Sequence, residues 1–286
     1  MDEAAPFGTY APVGFVRWVV ETTRSLPDTW LGRRLTIAMR RLAVFQLRGA
    51  PVDIEALGAR MRVHPYNNIC EKRMLFAPLT FDPEELAILS DRIRDGFTFI
   101  DVGANVGAYS LFVAARAGPS ACILAIEPQP GIFDRLVGNI RLNAFATIKA
   151  IACAVADKTG ELTLFIDARN SGESSVKIVA AGNADPIRVP AKTLLDLVRD
   201  ERLRRIDAVK LDVEGAEDII LGPFFESAPE SLFPALLVIE NGVAQWQIDL
   251  PALLARHGYR QLARTRLNLV FEREPTSDPA GRTDAS

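Results

Sequence analysis

Apolar and polar positions along this chain fall into two regimes. From about residue 97 onward, short apolar runs alternate with amphipathic stretches. The pattern predicts strands over 97–102, 121–126, 148–155, 208–212 and 235–240, and helices over 106–117, 131–142, 193–203, from 216 onward, and over 250–257. Runs that are apolar at every position, such as 123–126 and 236–239, suit parallel strands covered on both faces. Asp157-Lys-Thr-Gly160 reads as a turn into a strand at 161–166, expected as a hairpin extension of the sheet, with a further strand at 187–189. A final pair, 259–263 and 267–272, closes the domain. The Ser- and Gly-rich stretch 170–175 is expected to be a mobile loop, and the polar tail from Pro275 to be disordered.

The residues up to about Phe76 stand outside this alternation. Asp28 is a candidate N-cap and Gly49-Ala-Pro51 a stop signal for one helix between them. Leu31, Leu35, Ala38, Leu42 and Phe45 line one of its faces, and Arg33, Arg34, Arg40, Arg41 and Arg48 fall elsewhere, with no acid between Trp30 and Ala50. Such a basic amphipathic helix is expected to pack on the catalytic domain or on a second copy; peripheral contact with an anionic membrane is the alternative. Phe15, Trp18 and Val19 suggest a shorter helix before it, and a helix over 86–93 ends near Asp95-Gly96. The expected division is a helical segment at 1–78, an α/β domain at 79–274 and a tail at 275–286. No internal repeat is visible.

Composition narrows the picture only a little. At 286 residues, 49% hydrophobic and 24% charged, the chain has ordinary globular proportions. A net charge of −3 argues against a nucleic-acid partner for the chain as a whole. Cys70, Cys122 and Cys153 lack metal-ligand spacing, and Cys122 and Cys153 sit in apolar runs as small hydrophobes. With no basic leader at Met1-Asp-Glu and no bilayer-length apolar run, the expected location is cytoplasmic.

The chemistry begins at Asp101-Val-Gly-Ala-Asn-Val-Gly-Ala-Tyr-Ser110, an acid and two glycines between a buried strand and a helix. This is the turn at which α/β sheets bind nucleotide-like ligands. The next strand ends in Glu127-Pro128, close to the spacing at which a carboxylate meets ribose hydroxyls. Ala104 and Asn105 stand where a dinucleotide loop carries its second glycine, and the Lys-Ser/Thr of a phosphate loop is absent. Asp101 would repel a phosphate but suits a cation. The charge logic therefore favours S-adenosylmethionine over a nicotinamide cofactor.

A second segment, Ile206-Asp-Ala-Val-Lys-Leu-Asp-Val-Glu-Gly-Ala-Glu217, places Lys210 inside a strand that should be apolar. A buried lysine needs an anionic partner or loses its proton. Asp212, Glu214 and Glu240 all fall at predicted carboxyl ends of strands, where such sheets bind ligands. A structural ion-pair cluster is the competing explanation. For Glu217, expected on the following helix, a solvated or first-turn role is the default.

Taken together, Ile100-Asp-Val-Gly-Ala-Asn-Val-Gly107, Glu127-Pro-Gln-Pro130 leading to Asn139-Ile-Arg-Leu-Asn143, Lys210-Leu-Asp-Val-Glu-Gly-Ala-Glu217, and Glu240 resemble the FkbM family of S-adenosylmethionine-dependent methyltransferases. The resemblance covers about residues 80 to 272. It implies a Rossmann-like class I methyltransferase fold: a seven-stranded, mostly parallel sheet with an antiparallel last strand and helices on both faces. It also implies methyl transfer, usually to a hydroxyl oxygen of a sugar or other secondary metabolite. Asp101, Gly103, Ala104, Asn105, Gly107 and Ser110 would surround the methionine part of the cofactor, Glu127 with Pro128 would hold the ribose, and Ala156-Asp157 would lie near the adenine. Asn139 and Asn143 read as capping or packing residues.

A hydroxyl acceptor has to lose a proton, and with only His64 and His257 in the chain a carboxylate is the better base. Asp212 is the first choice, with Lys210 orienting it and Glu214 binding acceptor hydroxyls. A divalent metal on Asp212 and Glu240 is compatible with these ligands, though not required. Two rivals remain at this level: a nicotinamide-dependent oxidoreductase, and an inactive scaffold of the same fold. The acceptor pocket would draw on the N-terminal segment, the loop 170–175 and the region after Glu240. Trp246 and Phe224 are candidates either for its lining or for the core. A homo-oligomer is also compatible with the chain.

Overall fold

The computed structural model describes residues 5–27, 29–66, 68–166, 174–175 and 186–274. Asp28, most of the Ser- and Gly-rich loop, and the tail from Pro275 lie outside the described residues. The chain opens with α1 (Gly14–Ser25) and α2 (Trp30–Leu47), the latter capped by Thr29, whose hydroxyl accepts the Gly32 N–H at 3.2 Å. A hairpin of β1 (Val52–Ala56) and β2 (Ala59–Val63) follows, then α3 (Ile69–Phe76), one 3-10 turn (Pro78–Thr80) and α4 (Pro83–Ser90). The hairpin was not expected from the sequence. It turns at Leu57 and Gly58, both in the left-handed region, the geometry that matches strand twist in a two-residue loop.

The α/β body then runs β3 (Thr98–Val102), α5 (Ala108–Ala114), β4 (Cys122–Ile126), α6 (Pro130–Arg141), β5 (Ile148–Ile151), β6 (Ala154–Val155), β7 (Gly160–Ile166), β8 (Ser174–Ser175), β9 (Pro186–Lys192), α7 (Leu194–Asp200), β10 (Ala208–Leu211), α8 (Glu217–Ser227), β11 (Leu236–Glu240), α9 (Leu250–Arg256), β12 (Tyr259–Arg264) and β13 (Asn268–Arg273). Seven strands form the main sheet in the order β12-β13-β11-β10-β3-β4-β5. β5, β4, β3, β10 and β11 are parallel neighbours, and β13 runs antiparallel between β11 and β12. This is the expected Rossmann-like sheet. The strand predicted at 161–166 does not extend it: β7 pairs antiparallel with β9 in a separate sheet ordered β6-β9-β7-β8. No helix among the described residues is long and apolar enough to cross a membrane.

Alternation along the strands builds a core on each face. Ile100, Val102, Val209 and Leu211 join α7, α8 and α9 in one cluster, and Phe224 is core there rather than pocket lining. Phe99, Ala208 and Val238 join α5 in the other, and the same cluster takes in Val16, Val19 and Val20 of α1, Ala43 of α2, and the hairpin. Within this chain the predicted stripe of α2 does not pack on the catalytic domain: Leu31, Leu35, Ala38, Leu42 and Phe45 are exposed, and Gly32 and Ala43 face inward instead.

Polar side chains fasten the hairpin. Asp53 and Arg62 form a buried pair at 2.8 Å, and Asp53 also accepts the N–H groups of Gly8 and Tyr10. Burial would raise the Asp53 pKa, but the Arg62 bond and these N–H groups outweigh it and hold the carboxyl below its usual range. On α6, Asn139 accepts the Arg62 N–H at 2.7 Å and donates to the Val106 carbonyl at 3.0 Å. One turn later Asn143 repeats the pattern, accepting the Arg60 N–H and donating to the Arg60 carbonyl. Together they give the outer edge of β2 the partners that a further strand would supply, so the expected packing role takes a specific form.

Asn139→Ala should therefore strand two buried backbone groups and cost about 1–3 kcal/mol, with Asn143→Ala, at an exposed edge, costing less. Urea unfolding checks both. A change under about 0.5 kcal/mol for Asn139→Ala would show that the hairpin does not depend on this bond.

Candidate active site

β3, β4, β10 and β11 end at one rim of the sheet, with the strand order reversing between β3 and β10, where ligands bind such sheets. The β3–α5 turn passes through Gly103, Asn105 and Gly107, all with positive φ. Gly103 is required by a close approach: a Cβ there would lie 2.0 Å from the Asp212 carbonyl oxygen of the neighbouring strand end. At Gly107 a Cβ would press on Leu136 of α6 at 2.8 Å.

The amides of this turn are already spent. Gly103 and Ala104 donate to the Ile126 carbonyl, Asn105 to Glu127 Oε2 at 3.0 Å, Val106 to the Asn105 side chain and Gly107 to the Ala104 carbonyl. Asn68, the N-cap of α3, also donates to Asn105 Oδ1 at 2.8 Å, so the N-terminal segment helps hold the loop. This contact has no motif to announce it in the sequence.

Asp101 and Ser110 sit beneath the turn rather than on its open side. Both are fully buried, and Asp101 Oδ2 accepts the Ser110 N–H at 3.1 Å and its hydroxyl at 2.7 Å. The structure thus makes them supports of the loop, a revision of the expectation that they surround the ligand directly. Ala104 and Gly107 are buried too, leaving Gly103 and Asn105 as the half-exposed members.

At the end of β4, Glu127 is nearly buried, with Gln129 N–H on Oε1 at 2.9 Å and Asn105 N–H on Oε2. Burial pushes its carboxyl up to about 7 against these bonds. Each oxygen retains a lone pair for a further donor. Pro128 beside it is half-buried. Ala156 is buried with its N–H on the Lys192 carbonyl, and Asp157 is exposed.

Lys210 occupies the middle of β10, paired in register with Asp101. Its Nζ lies 2.8 Å from Asp212 Oδ2, 3.9 Å from Asp101 Oδ1, and 5.0 Å from the centre of the Tyr109 ring. Burial alone would lower the lysine's pKa, but Asp212 and Asp101 outweigh it and hold the ammonium above its usual value. Burial in turn raises Asp101, whose Oδ1 has no hydrogen-bond partner, although Lys210 and Ser110 pull the other way. Tyr109 adds a partner the sequence reading missed, donating its hydroxyl to Asp82 at 3.1 Å.

Beyond β10 the chain bends through Glu214 and Gly215, both in the left-handed region. Glu217 organises this bend. It is fully buried, accepts the N–H groups of Val213 and Gly215 at 3.2 Å, and accepts Trp246 Nε1 at 2.7 Å. Glu217 thus takes the first-turn place expected for it, but buried rather than solvated. Glu214 N–H reaches Glu240 Oε2 at 3.0 Å, and Asp212, Glu214 and Glu240 each offer an oxygen within 4.8 Å of the others. Burial, and after it the crowding of Asp212, Glu214 and Glu217, raises the Glu240 carboxyl well above its usual range.

This donor set fits a cationic ligand that carries a ribose. Glu127 suits a diol, the acidic cluster of Asp212, Glu214 and Glu240 suits positive charge, and the amides of residues 103–107 are not left for a pyrophosphate. An oxygen-ligated divalent cation is compatible with the triad, although Lys210 already supplies Asp212 with a positive partner. A cleft of 650 Å³ lies instead at the opposite end of the strands, among Arg92, Arg94, Asp207 and Glu272. Its arginines are paired, Arg92 with Glu272 and Arg94 with Asp207, so it lacks the unmet charge of the rim described above.

Comparison with known proteins agrees with this geometry. The family described as Methyltransferase FkbM domain matches residues 101–260, more than half of the chain. Methyltransferase sdnD of Sordaria araneosa is 35% identical over 147 residues, 41% of this chain and 56% of that protein. Methyltransferase 1 of Beauveria bassiana (strain ARSEF 2860) is 27% identical over 147 residues, 45% of this chain and 59% of that protein. The chain thus spans little more than half the length of these two relatives. Hexuronic acid methyltransferase AglP of Haloferax volcanii is 23% identical over 194 residues, 67% of this chain and 74% of that protein. With the turn at Gly103, the carboxylate at Glu127 and the Lys210–Glu217 segment all inside the matched region, the chain belongs to the FkbM family of S-adenosylmethionine-dependent methyltransferases.

Proposed function

We propose that this chain methylates a hydroxyl oxygen of a small polyol, a sugar or a comparable secondary metabolite. The observation that carries this reading is the Lys210–Asp212 pair: a buried ammonium 2.8 Å from a carboxylate whose side chain is 41% exposed at the rim. The lysine fixes the carboxylate from inside the sheet and leaves its open side to meet a hydroxyl proton.

S-adenosylmethionine supplies an electrophilic methyl on a positively charged sulfur. Glu127 and Pro128 would hold its ribose, Gly103, Ala104, Asn105 and Gly107 would shape the turn beside its methionine part, and Ala156-Asp157 would border the adenine. Asp101 and Ser110 would act from below by keeping that turn in place. For the reaction, Asp212 takes the proton of the acceptor hydroxyl as the oxygen forms its new bond. Glu214 and Glu240 hold neighbouring hydroxyls and orient the acceptor, and alignment at about 3–3.5 Å would supply most of the acceleration. The acids also select: an anionic acceptor would meet like charge at Asp212 and Glu214, so a neutral polyol suits the rim better than a free carboxylate. The name of the hexuronic acid relative supports a sugar-derived acceptor without deciding between its oxygens.

Methyl transfer from labelled S-adenosylmethionine to a panel of neutral sugars and hexuronic acids tests the reading. On the acceptor so found, Asp212→Asn should lower kcat by roughly 10²–10⁴-fold while the affinity for S-adenosylhomocysteine stays within about threefold. Equal turnover in that variant would remove Asp212 as the base. A loss of activity on chelation, restored by magnesium, would instead favour a cation on Asp212, Glu214 and Glu240.

Glu127 predicts the pH dependence of cofactor binding. Ribose hydroxyls donate to its ionised form, so affinity should rise as pH passes through about 7, the value to which burial pushes this carboxyl. Between pH 6 and pH 8 the gain should be about tenfold, the change in ionised fraction across that window. Calorimetry with S-adenosylhomocysteine should also show proton release on binding at pH 6, absent in Glu127→Gln. A flat profile in the unmodified protein would take Glu127 out of the ribose contact.

A further inference from the structure

The exposed side of α2 lies apart from the methyl-transfer rim. Leu31 is 68% exposed, Leu42 60% and Phe45 82%, values out of keeping with a face packed inside the chain. With Leu35 and Ala38 they form a stripe from 31 to 45, about 21 Å long at helical rise. Such a contiguous apolar strip on an otherwise charged helix marks an interaction surface.

What covers it is indicated by charge. Arg34 and Arg41, seven residues apart, run along one edge of the stripe, and Arg48 follows at the C-cap of the helix, where the backbone turns left-handed. All three are exposed, and none has an acidic partner among the described residues. Arg34 lies over the ring of Trp30 at 4.9 Å, and Trp30 is itself 70% exposed at the head of the helix. Neighbouring α1 also exposes Trp18, whose ring sits 5.8 Å from that of Phe15. No acid occurs from residue 30 to 52, in a chain whose net charge is −3. A second copy would bring the same arginines and no acid of α2 to answer them. A surface of phosphate groups over hydrocarbon answers both features: apolar side chains enter the acyl boundary, arginine stems lie along it, and their guanidinium groups reach the phosphates.

We propose that α2 docks this chain in the plane of an anionic phospholipid bilayer, with the Leu31–Phe45 stripe inserted and Arg34, Arg41 and Arg48 on the lipid phosphates. The docking helix is coupled to the site through the N-terminal segment, since α1 packs on both α2 and α3, and Asn68 at the head of α3 holds Asn105.

The test is sedimentation of the full chain with vesicles of phosphatidylcholine alone or with about 30 mol% phosphatidylglycerol, at about 0.1 M salt. Partition onto the anionic vesicles should exceed that onto the neutral ones by roughly tenfold or more. Replacing Arg34, Arg41 and Arg48 with Gln should abolish that preference. Leu42→Ser with Phe45→Ser keeps the charge and should still cut binding at least about tenfold, because the stripe carries the insertion. These positions are exposed, so the thermal midpoint should not change, which separates lost docking from lost folding. Equal sedimentation with both vesicle types, or wild-type binding by the double serine variant, would overturn the proposal. A dimer in ultracentrifugation that the serine changes dissociate, with no vesicle binding, would assign the stripe to a second copy instead.

Discussion

A single buried ammonium organises the rim of this sheet. Lys210 lies in the interior of a parallel strand flanked by two others, a position where an uncompensated charge is strongly unfavourable. Its answer is built into the adjacent strand ends. Asp101 is its register partner on β3, and Asp212 follows it by two residues, so both project toward the same face. Asp101 is in turn held through one oxygen, Oδ2 taking two donors from Ser110 on α5, while Oδ1 faces the ammonium at 3.9 Å. Tyr109, the residue before, lays its ring near the same ammonium and reaches Asp82 ahead of α4. One charge therefore ties β3, β10, α5 and the entry to α4 together, and leaves Asp212 as the member that faces outward.

The glycine turn is held just as tightly, and this bears on what it can recognise. A phosphate-binding loop keeps its amides unspent and aimed outward. Here residues 103 to 107 commit theirs to Ile126, Glu127, Asn105 and Ala104. Recognition at this turn must then come from shape, from carbonyl oxygens and from Glu127, which favours a ligand bearing positive charge and hydroxyls. The N-terminal segment takes part through Asn68, and α6 through Asn139, which bonds both the hairpin and Val106 of the turn. What reads in the sequence as an appendage is physically part of the frame around the cofactor loop.

The main sheet and the rim were legible because their constraints are local. Apolar strands of four to six residues, a glycine turn and a lysine inside an apolar run each carry their signal within a few positions. The corrections come where the deciding partner is far away in the chain. Glu217 looks like an ordinary first-turn acid until Trp246, 29 residues later, closes over it. β7 finds β9 across an intervening segment instead of joining the main sheet, a pairing that no local turn dictates. The hairpin escaped notice because Leu57-Gly58 is not one of the dipeptides that advertise a tight turn, although alternation on either side of it was available as a signal. For α2 the amphipathic pattern was read correctly, but periodicity says only that a face is apolar, and the face that packs inward carries the small residues Gly32 and Ala43.

The cluster of acids at the rim sets a charge balance that any chemistry here has to respect. Asp212, Glu214 and Glu240 crowd one another, with Glu217 close behind, and one ammonium cannot offset them all. Burial first, and then these acidic neighbours, raise the Glu240 carboxyl well above its usual range, so the cluster favours holding a shared proton. A proton shared in this cluster would place a hydrogen-bond donor among acceptors at the rim. A positively charged donor arriving nearby would ease the repulsion and make a second carboxylate less costly. Methyl transfer leaves the donor without its sulfonium charge. Lys210 then remains as the fixed positive charge of the cluster, inside the sheet, and holds Asp212 with its outer side open.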